Sequence, residues 1–217
     1  MDFFGHLKTI TYHRFLVCKG CFGIGLYWQG LTHDLSKYEP VEFLNGIKYY
    51  QGYRSPNNAE REDKGYSAAW LHHKGRNRHH FEYWIDFAGD GFGGRAELKP
   101  IRMPDNYIAE MFIDRVSASK VYKGNEYNDG CPYAYYKYGD ISHLLHPYTQ
   151  TLLEAWLIML AKKGEAYTFR YIKRFLRLPR EKRDRIAVKM LHGGVTKEQL
   201  FSRIDYKNNC SHRGRKL

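Results

Sequence analysis

Eleven histidines occur in a chain of 217 residues, and most fall in one ordered set with aspartates. The set runs His13, the doublet His33-Asp34 followed by Lys37, the doublets His72-His73 and His79-His80, then Asp114. Imidazole nitrogens and carboxylate oxygens in one site suit Zn, Mn or Fe, with coordination positions left for water. His13 lies three residues after Ile10 and four before Val17, which puts its ring on the inward face of a helix. Asp114, three after Met111 and four before Ala118, puts a carboxylate on the apolar face of another. A buried carboxylate without a partner is costly. One divalent metal held by His13, His33, Asp34 and Asp114 satisfies all four residues at once. The plainer alternative rests His13 on a backbone carbonyl and pairs Asp114 with Arg115, Lys120 or Lys37, and it must be invoked separately for each residue.

In this order the residues resemble the H…HD…D signature of the HD-domain superfamily, metal-dependent phosphohydrolases built as helical bundles. His33-Asp34-Leu35-Ser36-Lys37 is similar to the HD-x-G-K form of its HD-GYP and related branches, with Ser36 in place of glycine. The block HHKGRNRHH at 72–80 resembles the extra histidines of members that bind two metals. Phrases up to about residue 125, such as WQGLTHDLSK, YYQG and WLHHKGRNRHHFEYW, are similar to an uncharacterised bacterial family of unknown function.

The resemblance implies an all-α, HD-domain-like helical bundle that binds one or two divalent ions (Mn, Fe, Zn or Mg) and hydrolyses a nucleotide or other small phosphate ester. A metal in an open site lowers the pKa of bound water to about 7 and polarises a phosphoryl oxygen. Asp34 is then a ligand, bridging when a second ion is present, and Lys37 reaches a phosphate oxygen; these two are the expected catalytic residues. His73 and His80 are the expected ligands of the second ion. His72 and His79 come next, because Gly75 leaves the helix phase open. Arg76 and Arg78 suit an anionic substrate, while Trp70, Phe81, Tyr83 and Trp84 suit either base stacking or the core. No Gly-Tyr-Pro triplet follows the histidine block, and its doublets are closer together than in the two-metal enzymes. Iron-binding members of the superfamily activate oxygen, a third chemistry for the same ligands.

The elements that must position these residues are helical. Phe3, Leu7, Ile10, Phe15, Val17 and Cys21 keep helical spacing until Gly23 and Gly25. A short helical turn is expected over 33–38, a helix opened by Pro40, a polar loop over 52–65, and a helix capped by Ser67. AGDGFGGRAELKP reads as loop. Met103-Pro104-Asp105 starts a strong helix ended by Gly124, and a Tyr- and Gly-rich loop follows as far as His146-Pro147. Leu152, Leu153, Trp156, Leu157 and Leu160 form an apolar stripe up to Gly164. AYTFRYIKRFLRL and a segment from Arg180 to His192 give two further helices, Gly193-Gly194 breaks the second, and Thr196 to Gln199 is a capping box. No convincing strand is predicted.

Composition bounds the remainder. Hydrophobic residues at 43% and charged residues at 27% exclude disorder for most of the chain, leaving only about the last ten residues expected to be disordered. No apolar run is long enough to span a membrane, and the first fifteen residues contain His and Arg where a secretory leader needs its apolar stretch. A cytoplasmic protein is the expectation. Cys18, Cys21, Cys131 and Cys210 are expected to be reduced thiols. Cys18 and Cys21 have the spacing of half a zinc site without a second pair, and suit a packed helix better.

The net charge of +12 is uneven: residues 162–217 hold 17 Lys and Arg against 5 Asp and Glu, whereas residues 1–161 hold 18 of each kind. The predicted division is a metal-binding domain at 1–147 and a basic helical appendage at 148–217. The helix, glycine turn and helix near residue 193 resemble a helix-turn-helix, which makes a nucleic acid the alternative partner and a nucleic-acid-binding protein the alternative function.

Overall fold

The structure, a computed structural model, describes residues 1–87 and 97–192. Among them ten α-helices follow in the order α1 (Phe3–Ile24), α2 (Tyr27–Thr32), α3 (Pro40–Tyr49), α4 (Pro56–Lys64), α5 (Ala68–Arg76), α6 (Asp105–Lys123), α7 (Cys131–Gly139), α8 (Pro147–Lys163), α9 (Glu165–Leu176) and α10 (Arg180–His192). The expected all-α bundle is what the chain forms. Local chemistry sets several boundaries. The Asp2 carboxylate accepts from the Gly5 amide at 2.8 Å to start α1, and Ser67 Oγ accepts from the Trp70 amide at 3.0 Å to start α5. Gly25, at φ 88°, ends α1 in the left-handed region that favours glycine.

Three stretches differ from the sequence expectation. Residues 52–65, expected as loop, contain α4, which Pro56 opens and Gly65 closes; only Ala59 and Glu60 of that helix are buried, so it lacks the apolar stripe that marks a helix in sequence. The Tyr- and Gly-rich stretch before His146 contains α7, held by buried Tyr133 and Tyr136. A short antiparallel ribbon pairs β1 (Ile85–Phe87) with β2 (Leu98–Pro100), Ile85 opposite Pro100. The Gly193-Gly194 turn, the Thr196 capping box and the terminal ten residues lie outside the described residues.

The core centres on α6 and α8. Ile108, Phe112, Leu152, Leu153, Trp156, Leu157 and Leu160 are fully buried, and each such side chain contributes roughly 1.5–3 kcal/mol. Helix α1 packs on α2, α6 and α9; α8 carries α7, α9 and α10; α3 gathers α4 and α5. Leu145, Leu152, Phe175 and Ala187 belong to one hydrophobic cluster with Val17 and Ile108. The expected boundary at 147/148 therefore runs through a single core, and α8 to α10 are part of the body rather than an appendage. Among the described residues no helix is long and apolar enough to cross a membrane. Cys21 is buried on α1 and Cys18 half-buried, both as free thiols.

Candidate metal centre

Two close helix contacts set the site. A Cβ on Gly20 would stand 2.6 Å from Ile113 Cγ2, so glycine there lets α1 lie tightly against α6 and brings His13 to Asp114. A Cβ on Gly30 would stand 3.1 Å from Cys21 Cβ and 3.2 Å from the Cys18 carbonyl, which seats α2 on α1. His33 ends α2. Arg14 ties this corner down: its Nε donates to the His33 carbonyl at 2.8 Å and its Nη2 to the Leu31 carbonyl at 3.2 Å. The chain then turns at Asp34, whose φ of 52° is left-handed. A non-glycine residue held there stores strain, a frequent mark of a functional position. The expected turn at 33–38 proves to be a 3-10 turn, Leu35–Tyr38, with Asp34 at its N-cap.

Asp34 divides its two oxygens between two groups of donors. Oδ2 lies 3.3 Å from His33 Nε2, 3.8 Å from His13 Nε2 and 2.6 Å from Lys37 Nζ. Asp114 Oδ1 completes that side, 3.0 Å from His13 Nε2 and 3.7 Å from His33 Nε2. Oδ1 of Asp34 lies 3.3 Å from both His73 Nε2 and His79 Nε2. Donor atoms of His13, His33, Asp34 and Asp114 lie within 4.8 Å of one another, and those of Asp34, His73, His79 and His80 do the same. Ligands each about 2.1 Å from a shared cation must sit roughly 3.0–3.4 Å apart, close to these separations.

The buried polar atoms point the same way. His13 Nε2, His33 Nε2, His79 Nε2, His80 Nε2 and both oxygens of Asp34 are buried without a hydrogen bond of proper geometry. Apart from the Lys37 ammonium beside Asp34 Oδ2, these atoms have no such partner; so many in one place is foreign to a packed core, and cations at the two groups of donors would satisfy them. Burial alone would raise the Asp34 and Asp114 carboxyls, yet facing imidazoles, and Lys37 beside Asp34, hold both well below the usual carboxylate range. Burial, reinforced by Lys37, lowers His13 against the opposing pull of Asp114. For His33 burial also acts downward, but Asp34, Asp114 and Glu110 outweigh it and raise the ring. His80 is lowered by burial and by its histidine neighbours.

The expected residues thus converge in part. His13, His33, Asp34, His73, His79, His80 and Asp114 share the site. Lys37 borders it, its side chain 28% exposed and its Nζ 2.6 Å from Asp34 Oδ2. His72 lies outside both groups, its nitrogens facing Glu39 at 3.1 Å and Glu42 at 2.7 Å. Arg76 faces Glu39 at 3.6 Å and Arg78 lies over the Tyr83 ring, so neither is brought to the donors. Trp70 packs against His73 and His80, while Phe81 is core. Asp114 faces histidines; of the cations weighed for it from sequence, Arg115 lies over the Tyr136 ring, Lys120 bonds Glu165, and Lys37 pairs with Asp34 while feeling the Asp114 charge as well.

Sequence reasoning missed two acids. Glu110 Oε1 meets Nδ1 of His33 at 2.9 Å and Nδ1 of His79 at 3.2 Å. Glu42 meets Nδ1 of His72 and of His73, each at 2.7 Å. Their signal was available, since each interrupts an apolar stretch, IAEMFI and PVEFL.

The fold and site define an all-α protein with a buried histidine and carboxylate cluster at the junction of α1, α2, α5 and α6. The model of the family described as "Family of unknown function (DUF5662)" matches residues 2–159, and the chain belongs to that family. No curated protein and no solved structure matches it. Every donor named above falls within the matched stretch.

Proposed function

We propose that the chain is a metal-dependent phosphohydrolase of the HD type, with up to two divalent ions and a nucleotide or other small phosphate ester as substrate. The observation that carries this reading is the division of Asp34, one oxygen facing His13 and His33 and the other facing His73 and His79. A divalent metal at such ligands supplies a nucleophile from water near neutral pH and polarises a phosphoryl oxygen. The residues supply the rest. His13, His33, Asp34 and Asp114 would hold the first ion, and Asp34, His73 and His79 or His80 the second. Asp34 stays ionised through the charges around it. Lys37 stays protonated, because Asp34 and Asp114 outweigh the effect of its burial. Its ammonium, beside Asp34, binds and orients an anionic phosphoryl oxygen.

The test is turnover of a panel of nucleotides and generic phosphate esters by protein loaded with Mn, Fe, Zn or Mg. Hydrolysis that chelators and Asp34→Ala abolish supports the reading. No turnover by fully metallated protein across the panel overturns it.

A second reading, nucleic-acid binding, is favoured by one observation. Arg170 and Arg174, on the face of α9 opposite buried Thr168, Ile172 and Phe175, are exposed, as are Arg177 just past its end and Arg180 and Lys182 on α10.

A further inference from the structure

The Nδ1 side of the histidine cluster carries carboxylates that the proposed reaction does not use. Glu110, on α6 one turn before Asp114, has a buried side chain, 5% exposed. Its Oε1 lies between two rings, 2.9 Å from His33 Nδ1 and 3.2 Å from His79 Nδ1. Those rings lie 4.4 Å apart, centroid to centroid, at 35°. On their far sides they diverge to different atoms, His33 Nε2 to Asp34 Oδ2 and His79 Nε2 to Asp34 Oδ1, each at 3.3 Å. Each ring is thus spanned between one shared oxygen of Glu110 and its own oxygen of Asp34.

A carboxylate on Nδ1 holds the ring proton there and leaves the Nε2 lone pair free, while raising the basicity of that nitrogen; metal-ligating histidines are commonly fixed in this way. Resting on the two-ion reading above, we infer that Glu110 is a positioning residue for both ions: it sets His33 as an Nε2 ligand on one side of Asp34 and His79 as an Nε2 ligand on the other. One side chain then couples two sites. Glu42 offers an internal comparison. It also holds two rings by Nδ1, His72 and His73, but only His73 faces Asp34. Loss of Glu110 should therefore be felt at both ions and loss of Glu42 at one. The geometry also contains a rival, since the donor atoms of Glu110, His33 and His79 lie within 4.8 Å of one another. In that arrangement Glu110 would itself be a ligand and at least one ring would bind through Nδ1.

The experiment is calorimetric titration of the metal-free full-length chain with zinc, for wild type, Glu110→Gln and Glu42→Gln, each checked for wild-type far-UV helicity. Two zinc ions are expected in wild type. Glu110→Gln should weaken both, by roughly 10–100-fold, the usual cost of losing an outer-shell partner, and Glu42→Gln only one. Wild type that takes up fewer than two ions overturns the two-ion reading and this inference with it. Two ions in wild type, with Glu110→Gln unaffected or weakened at one ion only, overturns the role of Glu110 alone. Should Glu110→Gln fail to fold, nitrogen-detected imidazole NMR of zinc-loaded wild type puts the same question. Protons on Nδ1 of His33 and His79 with zinc on their Nε2 atoms are expected, and zinc on either Nδ1 overturns the inference.

Discussion

Lys37 Nζ stands 2.6 Å from Asp34 Oδ2, the oxygen that also faces His13 and His33. A metal at that oxygen and the ammonium of Lys37 are neighbouring positive charges, so the lysine opposes metal binding while attracting an anionic substrate. Lys37→Met separates the two effects. Its metal affinity should be no weaker than wild type, and KM for a phosphate ester should rise roughly 10–100-fold, the cost of one hydrogen bond to a charged group of about 1.5–3 kcal/mol. Zinc titration and steady-state kinetics read the two quantities. Weakened metal binding in Lys37→Met would show the lysine to be a structural partner of Asp34 and nothing more.

Removing donors should divide the site in a pattern that the geometry dictates. Asp34 serves both groups, so Asp34→Ala should lose all bound metal, whereas His13→Ala should lose one ion and His79→Ala the other. His72→Ala should keep both, because its nitrogens face Glu39 and Glu42. Helicity should survive throughout, since the core around α6 and α8 does not include these side chains. Elemental analysis of each purified variant decides. Wild-type metal content in Asp34→Ala or Asp114→Ala would end the assignment.

The two halves of the site were unequally legible in sequence. His13 and Asp114 could be placed because three- and four-residue spacing from Ile10, Val17, Met111 and Ala118 fixes a helical face, and those helices formed as expected. The later histidines could not be ordered in that way. Helix α5 ends at Arg76, and Asn77 has extended backbone, so periodicity carries no further than His73. What aims His79 at Asp34 is a loop pinned by contacts distant in sequence: Asn77 Nδ2 donates to Ser36 Oγ at 2.9 Å. The partners of Glu42 and Glu110 were hidden for a related reason. An acid in an apolar stretch signals a buried partner, but the partner lies 30 to 77 residues away and only the fold brings it near. Helix α4 carries almost no apolar face, so its hold on the body is a polar one through Glu60.

Glu60 turns that hold into a pH dependence. Its fully buried carboxylate accepts from Ser67 Oγ at 2.6 Å and from Asn45 Nδ2, and meets Lys64 Nζ at 3.1 Å. Ser67 in turn caps α5, the helix of His73. Burial acts to raise the Glu60 carboxyl, but these donors outweigh it and bring it below its ordinary value. Folding therefore favours the ionised form. The stability gained is fully present above the unfolded pKa of about 4.3 and is lost as pH falls through the lower folded value. Glu60→Gln should cost roughly 1–3 kcal/mol at neutral pH, with the gap to wild type narrowing below about pH 4. Denaturant melts of both proteins across that range test it, and a gap that does not change with pH would remove Glu60 from this role.

The basic surface of α9 and α10 yields the last prediction, one that must respect how those helices are held. Arg102 Nη2 donates to Asp184 Oδ1 at 2.5 Å and Arg183 Nη1 meets Asp105 Oδ2 at 2.8 Å, while Ala187 is buried in the core. Truncation after residue 163 would strip the core of Ile172 and Phe175, so it cannot separate charge from folding. Substituting the exposed cations can. Arg170, Arg174, Arg177 and Lys182 leave the Arg102 and Arg183 pairs untouched, and changing all four to Gln should lower affinity for duplex or single-stranded nucleic acid without changing the melting temperature by more than a few degrees. In wild type, affinity should fall by about one log unit per log unit of salt for each phosphate neutralised, and the slope should shrink in the variant. Fluorescence anisotropy with labelled DNA and RNA from about 50 mM salt upward measures both. Salt-independent binding, or none at the lowest salt, would leave the ridge as solvated surface over the packing of α8, α9 and α10.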